Sequence, residues 1–402
     1  MTISVLYIHH AGAFGGASRS LLEMIRAFPS DAVAPHLITP RGNVAEFAGR
    51  QGVPLIVTRG ISQLDTTRFG HYRGLRWLLL LRELWLLPFT VAALFKAKAR
   101  WKTIQIIHVN DVTALLPVII AKLLFRKPVV VHVRSVLQTS GMPLRRRLLR
   151  YVILRYADKI VAIDETVKGN LPSEFAACVI HNGFALDLPA TEAPATDLPP
   201  ALTCPGFKAA MVGNLLPMKG LAEFMEAARL CTAKGLDIHF VIIGDNARKL
   251  SGLRGWLLQH LNFARDVRAD IENFVQAHAL GKHVHLIGFM PNIRDAYERI
   301  SVLCFPSHLN AAGRPVFEAA FSKVPGIVAI ERPPGDTIVD RETGLCVPAG
   351  DARALADAIE YFYTHPAERQ RMGDAAYALA CRNFDVRRNA AEMLDIYRGL
   401  AV

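Results

Sequence analysis

Residues 306–329, PSHLNAAGRPVFEAAFSKVPGIVA, place a loop of small residues before a predicted helix that contains one carboxylate, Glu318. Pro315 suits the first turn of a helix, where its missing N–H group costs nothing. The free N–H groups of a helix start attract anions, and Ala312 and Gly313 are small enough to let an anion come close. A carboxylate a few residues further on can accept hydrogen bonds from sugar hydroxyl groups. This combination predicts a site for a nucleotide or a sugar phosphate.

Two other loops connect a predicted strand to a predicted helix and carry glycines. AGAFGGASRS (11–20) contains Gly15 and Gly16 and is similar to a phosphate-binding glycine loop, although it matches neither common glycine fingerprint. A tight turn would explain it equally well. GNLLPMKG (213–220) places Lys219 at a helix start, where a cation would serve an anionic ligand. The alternative is a solvated surface lysine.

The elements that must position these loops alternate between β-branched runs and helical stretches in both halves of the chain. Such alternation predicts an α/β protein with two doubly wound, parallel sheets. The proline-rich segment 191–206, TEAPATDLPPALTCPG, is the predicted linker. The carboxyl ends of the two sets of strands are expected to face a shared cleft. The segment 246–280 is predicted to be an elaboration of loop and helix.

The composition indicates a globular protein of two domains, with 402 residues of which 51% are hydrophobic and 20% charged. The chain starts with a predicted strand rather than a signal peptide, and the uncharged run 84–95 is too short to span a bilayer. The six cysteines are dispersed without metal-ligand spacing. The sequence therefore predicts a cytoplasmic protein with reduced thiols and no metal site.

The positive charge is concentrated in the first half. Residues 1–200 contain 24 Lys and Arg against 13 Asp and Glu, a net charge of +11, whereas residues 201–402 contain 23 against 22, a net charge of +1. An excess of this size favours an anionic partner. Zinc-finger spacing and an aromatic-basic RNA signature are both missing from the sequence, so we expect no nucleic acid and favour an anionic membrane surface.

Two stretches of the first half combine apolar and basic residues. They are GLRWLLLLRELWLLPFTVAALFKAKARW (74–101) and PLRRRLLRYVILRYADK (143–159). They are predicted either to be helices that cover a sheet or to dock on the membrane. In the second case the protein would be peripheral on the inner face of the membrane, through a cluster that comprises Arg145, Arg146, Arg147 and Arg150.

Taken in order, the motifs resemble those of the family-4 retaining glycosyltransferases, which have the GT-B fold. The resemblance covers nearly the whole chain. It rests on the double-glycine loop GGASRSL, on VVVHVRS, HNGF, GNLLPMKG and VIIGD, on the region PS-x5-GRPVFEAA-x4-P, and on DTIVDRETGLCVPAGDARALADAI. Each motif alone is loose, whereas their order and spacing are specific.

The resemblance implies an enzyme that moves a sugar from a nucleotide sugar to a lipid-linked or polysaccharide acceptor, in the biosynthesis of cell-surface glycans and without a metal or other cofactor. It implies an acceptor-binding domain at 1–195, a nucleotide-sugar domain at 206–384, and a C-terminal helix at 385–402 that could pack back toward the first domain. Lys219 would neutralise the leaving diphosphate, and Glu318 would hold the ribose hydroxyl groups. The implied donor-binding residues are Gly15, Gly16, Asn214, Lys219, Asn310, Ala312, Gly313, Arg314, Pro315, Val316 and Glu318.

On the acceptor side the resemblance points to the strand VVVHVRS. His132 matches the family's histidine near the acceptor and is predicted to orient or polarise the acceptor. Together with Lys219 and Glu318 it is predicted to be catalytic. A structural histidine at a strand end is the alternative. His10 is expected on the same side, and Arg134 could meet a phosphate of the donor or acceptor.

Two positions depart from the family pattern. Asn214 replaces an arginine of the phosphate loop, and Asn310 replaces the first glutamate of the region that contains Glu318. The departures are compatible with an unusual donor, or with a non-catalytic subunit that binds a nucleotide sugar. A nucleotide-sugar epimerase of the same fold is a third hypothesis, which the C-terminal signature disfavours.

Overall fold

The computed structural model describes residues 2–65, 67, 77–138, 143–184, 198–245, 266–290 and 292–401. The chain divides into two compact units. The first comprises residues 1–185 and 384–402, and the second comprises residues 186–383. Parts of the predicted linker (191–197) and of the predicted elaboration (246–265) lie outside the described residues.

The first unit is built on a seven-stranded parallel sheet in the order β3-β2-β1-β4-β5-β6-β7. Its strands are β1 (Ile3–Ile8), β2 (Val33–Pro40), β3 (Leu55–Thr58), β4 (Ile106–Val109), β5 (Val129–Val133), β6 (Lys159–Ala162) and β7 (Cys178–Val179). Successive residues of β1 enter opposite cores, with Leu6 on one face and Tyr7 on the other. Burial on both faces explains why these strands are continuous apolar runs.

Helices cover both faces of this sheet. They are α1 (Gly16–Ala27), α2 (Asn43–Arg50), α3 (Leu79–Arg100), α4 (Leu115–Phe125), α5 (Pro143–Tyr156) and α6 (Glu165–Gly169). The predicted helix at 72–100 is observed from residue 79, and residues 72–76 lie outside the described ranges. None of the helices in the described ranges is both long enough and apolar enough to cross a bilayer.

The C-terminal helix α14 (Val386–Leu400) belongs to the first unit. Asp385 caps its start by accepting hydrogen bonds from two backbone N–H groups of the first turn. Met393 and Tyr397 fill the core between the sheet and α1. The Asn-Gly turn of HNGF lies against the start of α14, because a Cβ atom at Gly183 would be 2.5 Å from the Cα of Val386.

The second unit has a six-stranded parallel sheet in the order β10-β9-β8-β11-β12-β13. Its strands are β8 (Phe207–Val212), β9 (Ile238–Ile243), β10 (Val284–Gly288), β11 (Val302–Phe305), β12 (Gly326–Ala329) and β13 (Gly344–Val347). Its helices are α7 (Pro200–Thr203), α8 (Leu221–Ala233), α9 (Val267–Ala277), α10 (Arg294–Tyr297), α11 (Arg314–Ala320), α12 (Ala352–Thr364) and α13 (Pro366–Asn383).

The prediction of two doubly wound parallel sheets is confirmed. In both units the strand order reverses beside the first strand, between β1 and β4 and between β8 and β11. Ligands of such sheets bind beyond the carboxyl ends of the strands at this switch point. The loops that follow these four strands are therefore where a site is expected.

Candidate active site

The loop after β8 is fixed to the end of the neighbouring strand by backbone contacts. Gly213 has φ +138°, a conformation that favours glycine, and its N–H donates to the carbonyl of Ile243 (2.9 Å). The N–H of Leu215 donates to the carbonyl of Asp245 (3.0 Å). A Cβ atom at Gly244 would lie 1.9 Å from the oxygen of Gly213. The first part of GNLLPMKG is thus held by glycine backbones.

The end of the same loop is fixed to the exit of β11. Gly220 has φ +79°, and a Cβ atom there would lie 1.9 Å from the carbonyl oxygen of Pro306. Ser307 Oγ and the N–H of His308 both donate to the carbonyl of Met218, at 3.3 and 3.0 Å. The loops after β8 and β11, which flank the switch point, therefore form one rigid assembly.

Lys219 ends a 3-10 turn in this assembly, one residue before the cap of α8. Its Nζ lies 4.9 Å from the centroid of the Phe305 ring, and burial lowers the pKa of its ammonium group. Across the described ranges no carboxylate pairs with it. A desolvated cation without a protein counter-charge favours an anionic ligand.

Phe305 contacts two parts of the predicted site, and the sequence prediction missed it. It is the last residue of β11 and is 2% exposed. Its ring contacts the start of α11 as well as Lys219, because a Cβ atom at Gly313 would lie 2.3 Å from its Cζ. One aromatic ring thus positions the lysine and the helix start together. The only sequence signal was an aromatic residue at the end of an apolar strand.

The helix start predicted from Pro315 is present. Gly313 is the N-cap of α11, Pro315 is the second helical residue, and Ala312 is partly buried in the core. The N–H of Val316 donates to the carbonyl of Gly313 (3.0 Å) and is used within this turn. The seven-residue helix places Val316 and Glu318 on buried positions.

The predicted ribose anchor, Glu318, is buried, with 4% of its surface exposed. Tyr297 Oη donates to its Oε2 (2.8 Å), and Arg314 Nε forms an ion pair with its Oε1. Each carboxylate oxygen has two lone pairs, so capacity to accept a further hydrogen bond remains. The contacts also give Glu318 a structural role, since they join α10 to α11.

The two departures from the family pattern lie in different surroundings. Asn214 is exposed on the loop after β8. Asn310 has φ +50°, and its Oδ1 accepts a hydrogen bond from the N–H of Glu331 (2.9 Å). Asparagine tolerates this left-handed conformation better than most residues. The structure therefore supplies a local reason for asparagine at 310.

Gly15 and Gly16 lie in the first unit, at the start of α1 after β1. Gly15 has an extended backbone, and a Cβ atom there would meet nothing within 4 Å. The packing around residue 15, in the part of the chain that the structure describes, therefore does not require a glycine. The other predicted donor residues, from Asn214 to Glu318, lie in the second unit.

His132 lies in β5 and is 2% exposed. Its Nδ1 accepts a hydrogen bond from Arg134 Nη2 (3.3 Å), which can only donate. The proton of the neutral ring is therefore on Nε2, a buried atom with no partner in the described part of the chain. Burial, the charge of Arg134 and His108 hold the pKa of His132 well below its usual range. The ring is arranged as a hydrogen-bond donor rather than as a base.

His132 belongs to a buried cluster that the sequence prediction did not foresee. The ring of His108, from β4, is 5.4 Å from that of His132, and burial lowers the pKa of His108 to about 3. Nδ1 of His108 lies 2.7 Å from the hydroxyl of Tyr397, which also bonds to the hydroxyl of Tyr7 (3.2 Å). Burial raises the pKa of both tyrosines. Helix α14 is thus bonded to β1 and β4.

Arg134 is held by amide oxygens. Its Nε donates to Asn110 Oδ1 and its Nη1 to Asn182 Oδ1, both at 2.5 Å. This gives the asparagine of the HNGF motif a role in orienting Arg134. The Nδ2 of Asn110 in turn donates to Nδ1 of His9 (2.8 Å). Five polar residues from four loops and strands are thus interlocked, counting His132.

His9, which the sequence prediction passed over, is the histidine after β1 that joins this cluster. Its Nε2 bonds to Ser18 Oγ of α1 (2.9 Å), and burial is the main cause of a strongly lowered pKa. His10 is half-buried, with its ring 5.5 Å from that of His9. In the described residues no group of three or more His, Cys, Asp or Glu could hold a metal ion.

The fold is shared with several solved structures. The HepE protein of Anabaena in complex with UDP and glucose superposes with a TM-score of 0.76 at 18% identity, over 99% of this chain and 100% of that one. Sucrose-phosphate synthase from Thermosynechococcus elongatus gives 0.73 at 18% identity, over 99% of each chain. The class that this fold defines is the GT-B glycosyltransferase fold, as the sequence implied.

Two family models divide the chain between them. Residues 14–188 match the model for glycosyltransferase family 4, and residues 205–379 match the model for glycosyl transferases group 1. Each match covers somewhat less than half of the chain, and the two together span most of it.

Curated relatives align over part of their length. Alpha-D-kanosaminyltransferase of Streptomyces kanamyceticus is 25% identical over 48% of this chain and 45% of the relative. The lipopolysaccharide core biosynthesis mannosyltransferase LpcC of Rhizobium leguminosarum bv. viciae is 29% identical over 35% of this chain and 39% of the relative. The chain thus aligns with less than half the length of each.

Proposed function

We propose that the protein is a retaining, metal-independent glycosyltransferase that moves a sugar from a nucleotide sugar to a lipid-linked or polysaccharide acceptor. The observation that carries the proposal is Lys219, a desolvated cation on the rim of the second unit's switch point, paired with no carboxylate of the described residues. Both glycosyltransferase family matches support the reaction class.

The chemistry fits this cation. Glycosyl transfer builds negative charge on the departing diphosphate and positive charge on the anomeric carbon. A fixed cation at the diphosphate stabilises that charge more in the transition state than in the ground state. The glycine contacts of the loop hold its backbone, and the Phe305 ring contacts the Lys219 ammonium group, before the donor arrives, so little reorganisation is needed.

UDP-sugars are the first donors to test. The Anabaena HepE structures contain UDP, UDP with glucose, or UDP-glucose. In this chain Glu318 would accept a hydrogen bond from the ribose, and its contacts with Tyr297 and Arg314 would fix the carboxylate for it. Asn214 and Asn310 would then adjust which donor is accepted.

His132 would orient the acceptor through its Nε2–H group. A neutral imidazole whose Nδ1 is occupied by Arg134 cannot take the acceptor proton at Nε2. The resemblance implies that a phosphate oxygen of the donor takes that proton, on the face from which the acceptor attacks. His132 is thus proposed to bind the acceptor hydroxyl and not to deprotonate it.

The acceptor proposal draws on the relatives. One is described as acting in lipopolysaccharide core biosynthesis, and another, CapM of Staphylococcus aureus, in capsular polysaccharide biosynthesis. We therefore propose a lipid-linked or growing polysaccharide acceptor and a role in cell-surface glycan biosynthesis, on the cytoplasmic side.

The test is to incubate the purified protein with radiolabelled UDP-, GDP- and dTDP-sugars, with and without a membrane extract, in the presence and absence of a chelator. Transfer into lipid or polysaccharide that persists with the chelator supports the proposal, and NMR of the product gives the anomeric configuration. Isomerisation of the donor would show an epimerase. Donor binding without turnover would support the hypothesis of a non-catalytic subunit, which the asparagines at 214 and 310 suggest.

A further inference from the structure

The first unit exposes apolar side chains on three consecutive helices. Of the fourteen large apolar side chains that are exposed in the described residues, twelve lie on α3, α4 and α5 or in the turn before α3. Examples are Leu81 and Trp85 of α3, Leu123 of α4, and Leu144 and Tyr151 of α5. Exposed apolar patches of this kind mark interaction sites.

These side chains form one surface rather than three separate stripes. An apolar cavity of about 220 Å³ opens between the helices, and its lining includes Leu84 of α3, Leu116 of α4 and Leu148 of α5. All three leucines are also exposed to solvent. We call the surface formed by these helices the α3–α5 face.

The charge of the same helices is almost entirely positive. Together α3, α4 and α5 contain ten Lys and Arg and a single acidic residue, Glu83. Glu83 is 4% exposed; its carboxylate pairs with Arg82 and accepts a hydrogen bond from the N–H of Gln63 (2.8 Å). The exposed surface of the α3–α5 face is therefore apolar and cationic.

Charge decides which occupant fits. A second copy of the chain would bring two cationic surfaces together, and like charges disfavour that contact. A nucleic acid would satisfy the cations and leave the leucines in water. An anionic bilayer satisfies both, since its headgroups pair with arginine and its acyl boundary takes up leucine and tryptophan.

We propose that the α3–α5 face docks on an anionic bilayer, with Leu81, Trp85 and Leu144 in the acyl boundary and Arg146 and Arg147 at the headgroups. The proposal rests on the proposed function, because a lipid-linked acceptor keeps its carrier in the membrane. It names the apolar side chains that insert beside the arginine cluster that the sequence analysis identified.

The structure places those four arginines differently. Arg145 is half-buried, whereas Arg146, Arg147 and Arg150 are exposed, and Arg150 forms an ion pair with Glu174 (2.9 Å). Salt screens headgroup attraction but does not weaken apolar insertion. Vesicle binding should therefore fall with rising salt to a residual level that the leucines maintain.

The experiment is sedimentation of the full chain with phosphatidylcholine vesicles, with and without phosphatidylglycerol, over a range of salt. Arg146→Gln with Arg147→Gln should weaken binding about 30-fold at low salt. Leu144→Gln should weaken it about 10-fold and reduce the salt-resistant part. The matched controls lie in the second unit: Lys282→Gln with Arg353→Gln, and Phe289→Gln, whose side chain is 73% exposed against 77% for Leu144.

Unchanged binding in both controls, with losses in both α3–α5 variants, supports the proposal. It is overturned if the wild-type protein ignores anionic vesicles at low salt, if Phe289→Gln matches Leu144→Gln, or if the leucine change instead dissolves a dimer. The donor assay separates the docking proposal from the proposed function. Vesicle binding without sugar transfer would support docking and contradict the proposed function. Transfer to a soluble acceptor without vesicle binding would support glycosyl transfer and contradict docking.

Discussion

The two units build their candidate sites by opposite means. In the second unit, backbone contacts at Gly213 and Gly220 and the ring of Phe305 hold one cation, Lys219, next to a helix start. In the first, His9, His132 and their neighbours interlock through side chains in the interior. The difference matches the roles proposed above, since a charged diphosphate needs space and a counter-charge, whereas orienting a hydroxyl group needs a fixed neutral donor.

The largest expected difference between the units is their response to acid. His9, His108 and His132 are buried and neutral, with pKa values lowered chiefly by burial. The unfolded chain binds these protons below about pH 6.5, so stability is complete above that pH and decreases as pH falls below it. Between pH 6.5 and 5 the loss is about 2 kcal/mol for His108, whose pKa in the folded protein is about 3, and His9 and His132 add losses in the same direction.

Amide hydrogen exchange measures this unit by unit, after correction for the intrinsic pH dependence of exchange. Protection of β1, β4 and β5 should decrease on acidification more than that of β8, β9 and β11. The second unit is the internal control, because the histidine whose pKa is lowered among its described residues is His285, which is only half-buried. Equal losses in both units would contradict the difference in burial.

The next effect concerns Lys219. Lys219→Met keeps most of the side chain's volume and removes the charge, and we expect kcat to fall about 10²–10³-fold, as on removal of one transition-state donor. Stability should be unchanged or slightly higher, since a desolvated charge is lost. Lys234→Met is the matched control, because Lys234 is an exposed lysine paired with Glu360 and Asp357.

These kinetics apply once a donor has been found with the panel described above. A loss of stability in Lys219→Met that matched its loss of activity would mean that the lysine is structural. Similar kcat values for the Lys219 and Lys234 variants would remove Lys219 from the diphosphate site.

The smallest effect tests the interlocked side chains. Tyr397→Phe deletes the hydroxyl that bonds to His108 and Tyr7, and leaves both groups buried without it. We expect the first unit to lose about 1–3 kcal/mol, seen in thermal or denaturant unfolding. Tyr151→Phe, at an exposed position of α5, should change nothing. Equal stability of the two variants would show that the cluster contributes no net energy.

The sequence predicted the local parts of this molecule well. The thirteen strands of the described residues lie in apolar runs of the sequence. Lys219, Gly313 and Pro315 occur in loops whose residue types indicate their backbone geometry. The sequence did not predict that the Phe305 ring contacts both Lys219 and the start of α11, because these contacts depend on which loops meet beyond the strand.

The histidine cluster shows why the contacts between distant parts of the chain could not be predicted from the sequence. Tyr397 and His108 are 289 residues apart in sequence and bond directly. No periodicity or motif links such positions, because the pairing is created by the packing of α14 on the first sheet. The sequence predicted His10 as the site histidine after β1, whereas His9 is the buried histidine that bonds to Asn110.

The return of α14 to the first unit has a consequence for synthesis. The hydroxyls of Tyr7 and Tyr397 are 390 residues apart in the chain, so β1 leaves the ribosome long before the helix that covers it. At ordinary elongation rates the interval is roughly 20–80 s. By the end of that time all strands of the second unit have been synthesised, because they precede α14. The N-terminal half therefore exposes part of its apolar face until α14 has been synthesised.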